Sequence, residues 1–204
     1  MSSEIAAETA ARSAGRPVRQ IALDDAQAGV VPRFRDVLLA QPDAVAVADA
    51  HRALSYAELA AEAVAVLRAV RAAVPAGAPV ALLHPHEPGA VSALLGILAS
   101  GHPVVVLDPR TPAARLQVFL ERSGATAAVV HPDTAEVATQ IAEQILLPAG
   151  GPVEVEELWA QVPDPSAPAA LAFTSGSTGR PKVVTVSYTH LRAHETDSYL
   201  VCRL

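Results

Sequence analysis

Four short apolar runs set the frame of this chain: VALL at 80–83, VVVL at 104–107, TAAVV at 126–130 and AALAF at 169–173. They are too short for helices and show no polar alternation. Such runs are strands buried on both faces. The segments between them carry helix signals. Pro88–Ala99 is an apolar helix that Gly101 stops. Thr111 is a cap candidate with Pro112 at the first helical position, Leu116, Phe119 and Leu120 form a buried stripe, and Gly124 ends the run. Asp133 and Glu136 are spaced as a capping box for a helix reaching about Leu146. Strand and helix in alternation give an α/β fold, a mostly parallel sheet flanked by helices. Upstream, residues 44–48 and 52–54 flank the polar break Asp49–His51 as a small hairpin. Ser55 and Glu58 form a capping box, with Leu54 and Leu59 as its hydrophobic staple, for a helix that Pro75 and Gly77 terminate.

With 204 residues, 51% apolar and 18% charged, the chain has material for one good-sized core. At 3% aromatic content, Ala, Val and Leu must build that core. A net charge of -6 argues against a general nucleic-acid binder or an anionic membrane partner. The longest apolar run, Ala90–Ala99, falls well short of the ~20 residues that span a bilayer. Residues 1–29 read as a flexible lead-in, since Glu4 and Glu8 interrupt any signal-peptide pattern. Cys202 is the only cysteine, so no intrachain disulfide forms, and a reducing cytoplasm is the expected location.

The segment that points to chemistry is TSGSTGRPK at 174–182, directly after the fourth strand. Its small residues let successive backbone N–H groups converge on an anion, and Thr174, Ser175, Ser177 and Thr178 add hydroxyl donors. Gly176 and Gly179 leave room for close approach. Lys182, the sole lysine beside 14 arginines, supplies a point charge suited to phosphate. Pro181 biases Arg180 toward an extended conformation that aims the lysine back at the loop. The pattern is neither G-x-x-x-x-G-K-[ST] nor G-x-G-x-x-G. A flexible Gly/Ser linker is the competing reading. The preceding strand, the unique lysine and the lack of repetition speak against it.

LAFTSGSTGRPKVV closely resembles the signature of the adenylate-forming (AMP-binding) superfamily, which includes acyl-CoA synthetases, luciferases and the adenylation domains of nonribosomal peptide synthetases. LSYAEL at 54–59, LLGILASGHPVVVLDPRTPAARL at 94–116 and FLERSGATAAVV at 119–130 resemble further family segments in the family's order, covering about residues 30–187. The resemblance implies that the chain is a partial large N-terminal domain of such an enzyme. A carboxylate attacks the α-phosphorus of ATP, pyrophosphate leaves, and the acyl-adenylate passes to a thiol of CoA or a carrier protein's phosphopantetheine. It assigns Thr174, Ser175, Gly176, Ser177, Thr178, Gly179 and Lys182 to ATP, with Mg²⁺ shared among the phosphate oxygens. It places the acid pocket and the catalytic lysine of a C-terminal lid downstream, so no catalytic residue and no metal ligand is assigned here. The LDP-x-x-P-x-x-R-L arrangement at 107–116 looks more like peptide synthetases than fatty-acyl-CoA synthetases, which favours an amino acid as the substrate. An acyl-CoA or acyl-ACP ligase stays open, as does a nucleotide-binding fragment inactive by itself. Val183 stands where the family often has Gly, and Ala99-Ser100-Gly101 replaces Lys-Ala-Gly.

From Tyr188 the style changes. SYTHLRAHETDSYLVCRL holds two of the three tyrosines and the only cysteine, and residues 188–204 are read as a non-native tail. His190, His194 and Glu195 there lack the H-E-x-x-H order of a zinc helix. His84 and His86 are read as loop residues, and Asp108 as a strand end capping a turn. Trp159, among Glu154, Glu156 and Glu157, is read as part of a solvated stretch before the Pro-rich segment 163–168.

Overall fold

A computed structural model of the chain describes residues 29–142, 144–146, 153–161, 163–174 and 181–189. In chain order the elements are α1 (Val30–Ala40), β1 (Val45–Ala48), β2 (Ala53–Ser55), α2 (Tyr56–Ala73), β3 (Val80–Leu83), α3 (Pro88–Ala99), β4 (Val104–Leu107), α4 (Ala113–Ser123), β5 (Ala127–Val130), α5 (Ala135–Thr139), β6 (Gln144–Leu146), β7 (Pro168–Thr174) and β8 (Lys182–Ser187). Short 3₁₀ turns cover Pro132–Thr134 and Val155–Leu158. β1 and β2 form the antiparallel hairpin, and Asp49 Oδ1 holds its turn by accepting the N–H groups of His51 and Arg52, both at 2.7 Å. The Ser55–Glu58 capping box forms as expected. The Glu58 N–H donates to Ser55 Oγ at 3.1 Å and the Ser55 N–H to Glu58 Oε2 at 2.7 Å. Caps of this kind contribute about 1 kcal/mol.

The main sheet runs β6-β5-β3-β4-β7-β8. All pairings are parallel except β7–β8, which is antiparallel. β3, β4 and β5 lie in one aligned block, Val80 opposite Val104 and Ala127, Leu83 opposite Leu107 and Val130. Alternation along these strands sorts the core into two layers. Val80, Leu82, Val104, Ala127 and Val129 pack with α1, α2 and α3. Ala81, Leu83, Val105, Leu107, Ala128 and Val130 pack with Leu116 and Leu120 of α4 and with Ala138 of α5. The order explains this sorting. The step from β3 to β4 runs one way across the sheet, and α3 lies on the first face. The steps β4 to β5 and β5 to β6 run the other way, and α4 and α5 lie on the second. On returning to β7, the chain buries Leu158 on the first face again. All four crossovers therefore have one hand, as the chirality of parallel connections requires.

Several expectations are corrected. Thr111 does not cap α4. Pro112 takes the N-cap position, and no side chain bonds there. The Asp133–Glu136 box does not form, because His131 Nδ1 accepts the Asp133 N–H at 3.2 Å and Pro132 opens a 3₁₀ turn. The helix then stops at Thr139, and residues 144–146 join the sheet as β6. The Trp159 region is not a solvated stretch. Leu158 is fully buried and half-buried Trp159 packs on the first-face core, while Arg68 Nη2 donates to Glu157 Oε1 at 2.5 Å.

Beyond Ser187, Tyr188 is buried. Its hydroxyl donates to the Leu98 carbonyl at 2.8 Å and its N–H to the Ala167 carbonyl at 3.2 Å. Burial pushes the phenol up to about 12. An acid raised in the folded state stabilises below its unfolded pKa of about 10, and that contribution is lost as pH climbs through 12. Tyr188→Phe is expected to cost about 1 kcal/mol at neutral pH. Between pH 10 and 12 the wild type should lose stability relative to the Phe variant, which urea unfolding at both pH values checks.

Candidate functional site

The carboxyl ends of parallel strands in an open α/β sheet are where such folds take their ligands. Here that edge is formed by the ends of β3, β4, β5 and β7, followed by His84, Asp108, His131 and the 175–181 connection. β7 is held by its end. The Phe173 ring meets Phe119 of α4 at 4.3 Å between centroids, and the Arg115 guanidinium lies 5.6 Å over the Phe119 ring. β8 then returns antiparallel, with Phe173 opposite Val183 and Thr174 opposite Lys182. Directly opposed residues of an antiparallel pair put their side chains on the same face, about 4.5–5.5 Å apart at Cβ. Thr174 and Lys182, both exposed, thus form the mouth of a hairpin at the ligand edge of the sheet. The sequence reading ends the sheet at Phe173 and has no strand at 182–187, so this juxtaposition comes from the structure. Ser175, Gly176, Ser177, Thr178 and Gly179 lie outside the described residues, as do His190, His194 and Glu195.

Next to the hairpin, at the end of β4, Asp108 behaves as expected. Its Oδ1 accepts the Arg110 N–H at 2.9 Å, its Oδ2 accepts from Arg110 Nη2 at 2.9 Å, and its carbonyl accepts the Thr111 N–H at 2.9 Å. The hydrogen bonds from the Arg110 side chain hold the Asp108 carboxyl down at about 2. A carboxylate so committed shapes a turn and has no proton to give near neutrality.

A second cluster was not anticipated. β3 and β5 are aligned neighbours, so the residues that follow them, His84 and His131, stand side by side with ring centroids 5.0 Å apart. Glu87 Oε1 lies 3.3 Å from His131 Nε2 and 3.7 Å from His84 Nδ1. Burial lowers the His84 pKa. The sequence does place each histidine one residue after a strand. Only the strand order makes them partners. Among the described residues, no group of three His, Cys, Asp or Glu is placed to hold a metal ion, and no helix is long and apolar enough to cross a membrane.

The family model described as AMP-binding enzyme matches residues 34–201. The chain is 39% identical over 154 residues to phenyloxazoline synthase MbtB of Mycobacterium tuberculosis, a match covering 72% of this chain and 10% of that protein. It is 33% identical over 175 residues to nonribosomal peptide synthetase kk1B of Curvularia clavata, covering 81% of this chain and 1% of that protein. The chain therefore spans a tenth or less of these relatives' length. Among solved structures, the anthranilate CoA ligase AuaEII in complex with anthranoyl-AMP superposes with a TM-score of 0.65 at 19% identity, over 78% of this chain and 34% of that one.

Proposed function

Because the chain belongs to the AMP-binding enzyme family, we propose that its 174–182 segment holds the β- and γ-phosphates of ATP in an enzyme that activates an amino acid as its adenylate. The observation that supports this is the pairing of Thr174 with Lys182, the only lysine of the chain, across the mouth of an exposed hairpin at the ligand edge of the sheet. In this reading the Thr174 hydroxyl donates to a phosphate oxygen and the Lys182 ammonium balances charge on the polyphosphate. Ser175, Gly176, Ser177, Thr178 and Gly179 close the cradle with backbone N–H groups and hydroxyls. An exposed ammonium beside a hydroxyl fits a Mg²⁺-bound polyphosphate, with the cation carried by phosphate oxygens. The cation, when bound, supplies further charge neutralisation.

The carboxylate oxygen of the acid bonds to the α-phosphorus as the bond to the β-phosphate bridging oxygen breaks. Pyrophosphate leaves with that electron pair. The hairpin's part is positioning and electrostatic stabilisation of the departing charge. The activated acyl group then passes to a thiol, with a carrier-protein phosphopantetheine favoured by the similarity to kk1B. CoA is the second reading, favoured by the fold shared with AuaEII. The domain proper begins at about residue 30, after a lead-in, and takes in Tyr188, which packs in its core and lies within the family match. The chain alone binds nucleotide without completing turnover, and the location is cytoplasmic.

The test is equilibrium binding of Mg²⁺-ATP to the 204-residue chain, together with pyrophosphate exchange over a mixed amino-acid pool. Saturable ATP binding without exchange is expected. No ATP binding at all would overturn the assignment of the hairpin.

A further inference from the structure

The His84–His131 cluster borders a cleft of about 560 Å³ between the end of β5, the start of α3 and one side of α2. That volume lies within the roughly 300–1,000 Å³ of small-molecule sites. The cleft belongs to the β5 half of the sheet. β3 and β4 separate β5 from β7, so it stands about 14 Å from the Thr174–Lys182 hairpin at three interstrand spacings.

Seven of its fifteen lining residues are Ala or Val, among them Ala65, Val66, Ala93 and Val129. Its polar and charged lining groups are Arg52, Glu62, His84, Glu87, Ser92 and His131. His84 Nδ1 lies 3.2 Å from the Pro85 carbonyl, which can only accept, so the ring proton sits on Nδ1 and Nε2 offers a lone pair. Burial lowers the pKa of that ring, which favours its neutral form. His131 Nδ1 accepts from the Asp133 N–H, so its own proton faces Glu87 Oε1. Among the described residues Glu87 has only these imidazoles as ionic partners, whereas Glu62 on the rim is taken by Arg52. Gly89 leaves room beside the ring, since a Cβ there would lie 3.2 Å from His84 Cε1, a tight contact.

Ser92 of α3 supplies the independent sign that something is to be bound. It lines the cleft, is 1% exposed, and its Oγ has no hydrogen-bond partner among the described residues. A buried hydroxyl left in that state is costly, and it does not take the usual helical escape of bonding the carbonyl four residues back. Aliphatic walls call for an apolar body. A carboxylate without a fixed cation and an imidazole lone pair call for a donor with positive charge.

We propose that this cleft, with Glu87, His84 and Ser92 as its polar groups, binds a small apolar amine in its ammonium form. It is a site separate from the nucleotide hairpin. Benzylamine is the probe, with benzyl alcohol as its neutral counterpart and benzoate as its anionic one, titrated into the full chain while the histidine ring signals are followed by NMR. Benzylamine should shift the His84 and His131 signals saturably with a dissociation constant in the millimolar range, as suits a fragment-sized ligand. Benzyl alcohol should bind at least ten-fold more weakly, and benzoate should leave both signals in place. Glu87→Gln should weaken benzylamine ten-fold or more, and Ser92→Ala several-fold. Ser92→Ala removes only an unpartnered hydroxyl, so its melting temperature should be no lower than wild type, which separates lost binding from lost folding. Absence of a saturable shift, benzoate binding as well as benzylamine, or full affinity in Glu87→Gln would each overturn the proposal.

Discussion

Lys182→Ala, made in a complete adenylating enzyme carrying this segment, is expected to slow acid-dependent ATP–pyrophosphate exchange about 100-fold or more. Removing one preorganised group that meets developing charge costs roughly 10²–10³ in rate. Lys182 opens β8 as an exposed residue opposite Thr174, so losing its side chain leaves both core layers intact, and the melting temperature should not move. Lys182→Arg should recover only part of the rate. A guanidinium keeps the charge but presents it as a planar fork on a different stem. Exchange at the wild-type rate in Lys182→Ala would remove the hairpin from the reaction.

Gly96→Ala is expected to produce the largest loss of stability from the smallest change. A Cβ at Gly96 would lie 2.5 Å from the Ala63 carbonyl oxygen and 2.6 Å from Val66 Cβ, where α3 crosses α2. Neither neighbour is the tip of a flexible side chain. One is backbone and the other is anchored to it, so the helices themselves must separate. Overpacking of this kind costs about 3 kcal/mol, which for a domain of this size lowers Tm by roughly 6–12 °C. Val91→Ala on the same helix, at a site 42% exposed, is the control and should stay within about 0.5 kcal/mol of wild type. An unchanged melt for Gly96→Ala would mean the two helices are not in contact at that point.

What could be read from sequence was what is decided locally. The runs at 80–83, 104–107 and 126–130 supply β3, β4 and β5 because short apolar stretches with no polar face go into the sheet interior; Val106, 61% exposed, departs from the burial expected on both faces. Ser55 and Glu58 cap α2 because both partners lie within one turn. Failures occur where a tertiary partner outbids the local pattern. The Thr134 hydroxyl donates to the Leu83 carbonyl 51 residues away, and His131 takes the Asp133 N–H, so the expected capping box has nothing left to cap. Ile145 and Leu146, too short a run to distinguish helix from strand, are claimed by the free edge of β5. Of the candidate site, the residue types in TSGSTGRPK suggested phosphate, but the opposition of Thr174 to Lys182 required β8, which no local signal announced. The His84–His131 pair depended on strand order, a property of the whole sheet.

The β7–β8 hairpin joins the rest of the sheet through a single registered pair, Val104 with Ala170, whereas β3 is matched to both β4 and β5 along its full length. The arm proposed to embrace the nucleotide thus hangs on the aligned block less by ladder hydrogen bonds than by side chains, Phe173 on Phe119 and the Tyr188 hydroxyl on the Leu98 carbonyl. Loosening those contacts would leave the ladders of β3, β4 and β5 whole, so local opening of the hairpin and global unfolding of the domain are distinct free energies.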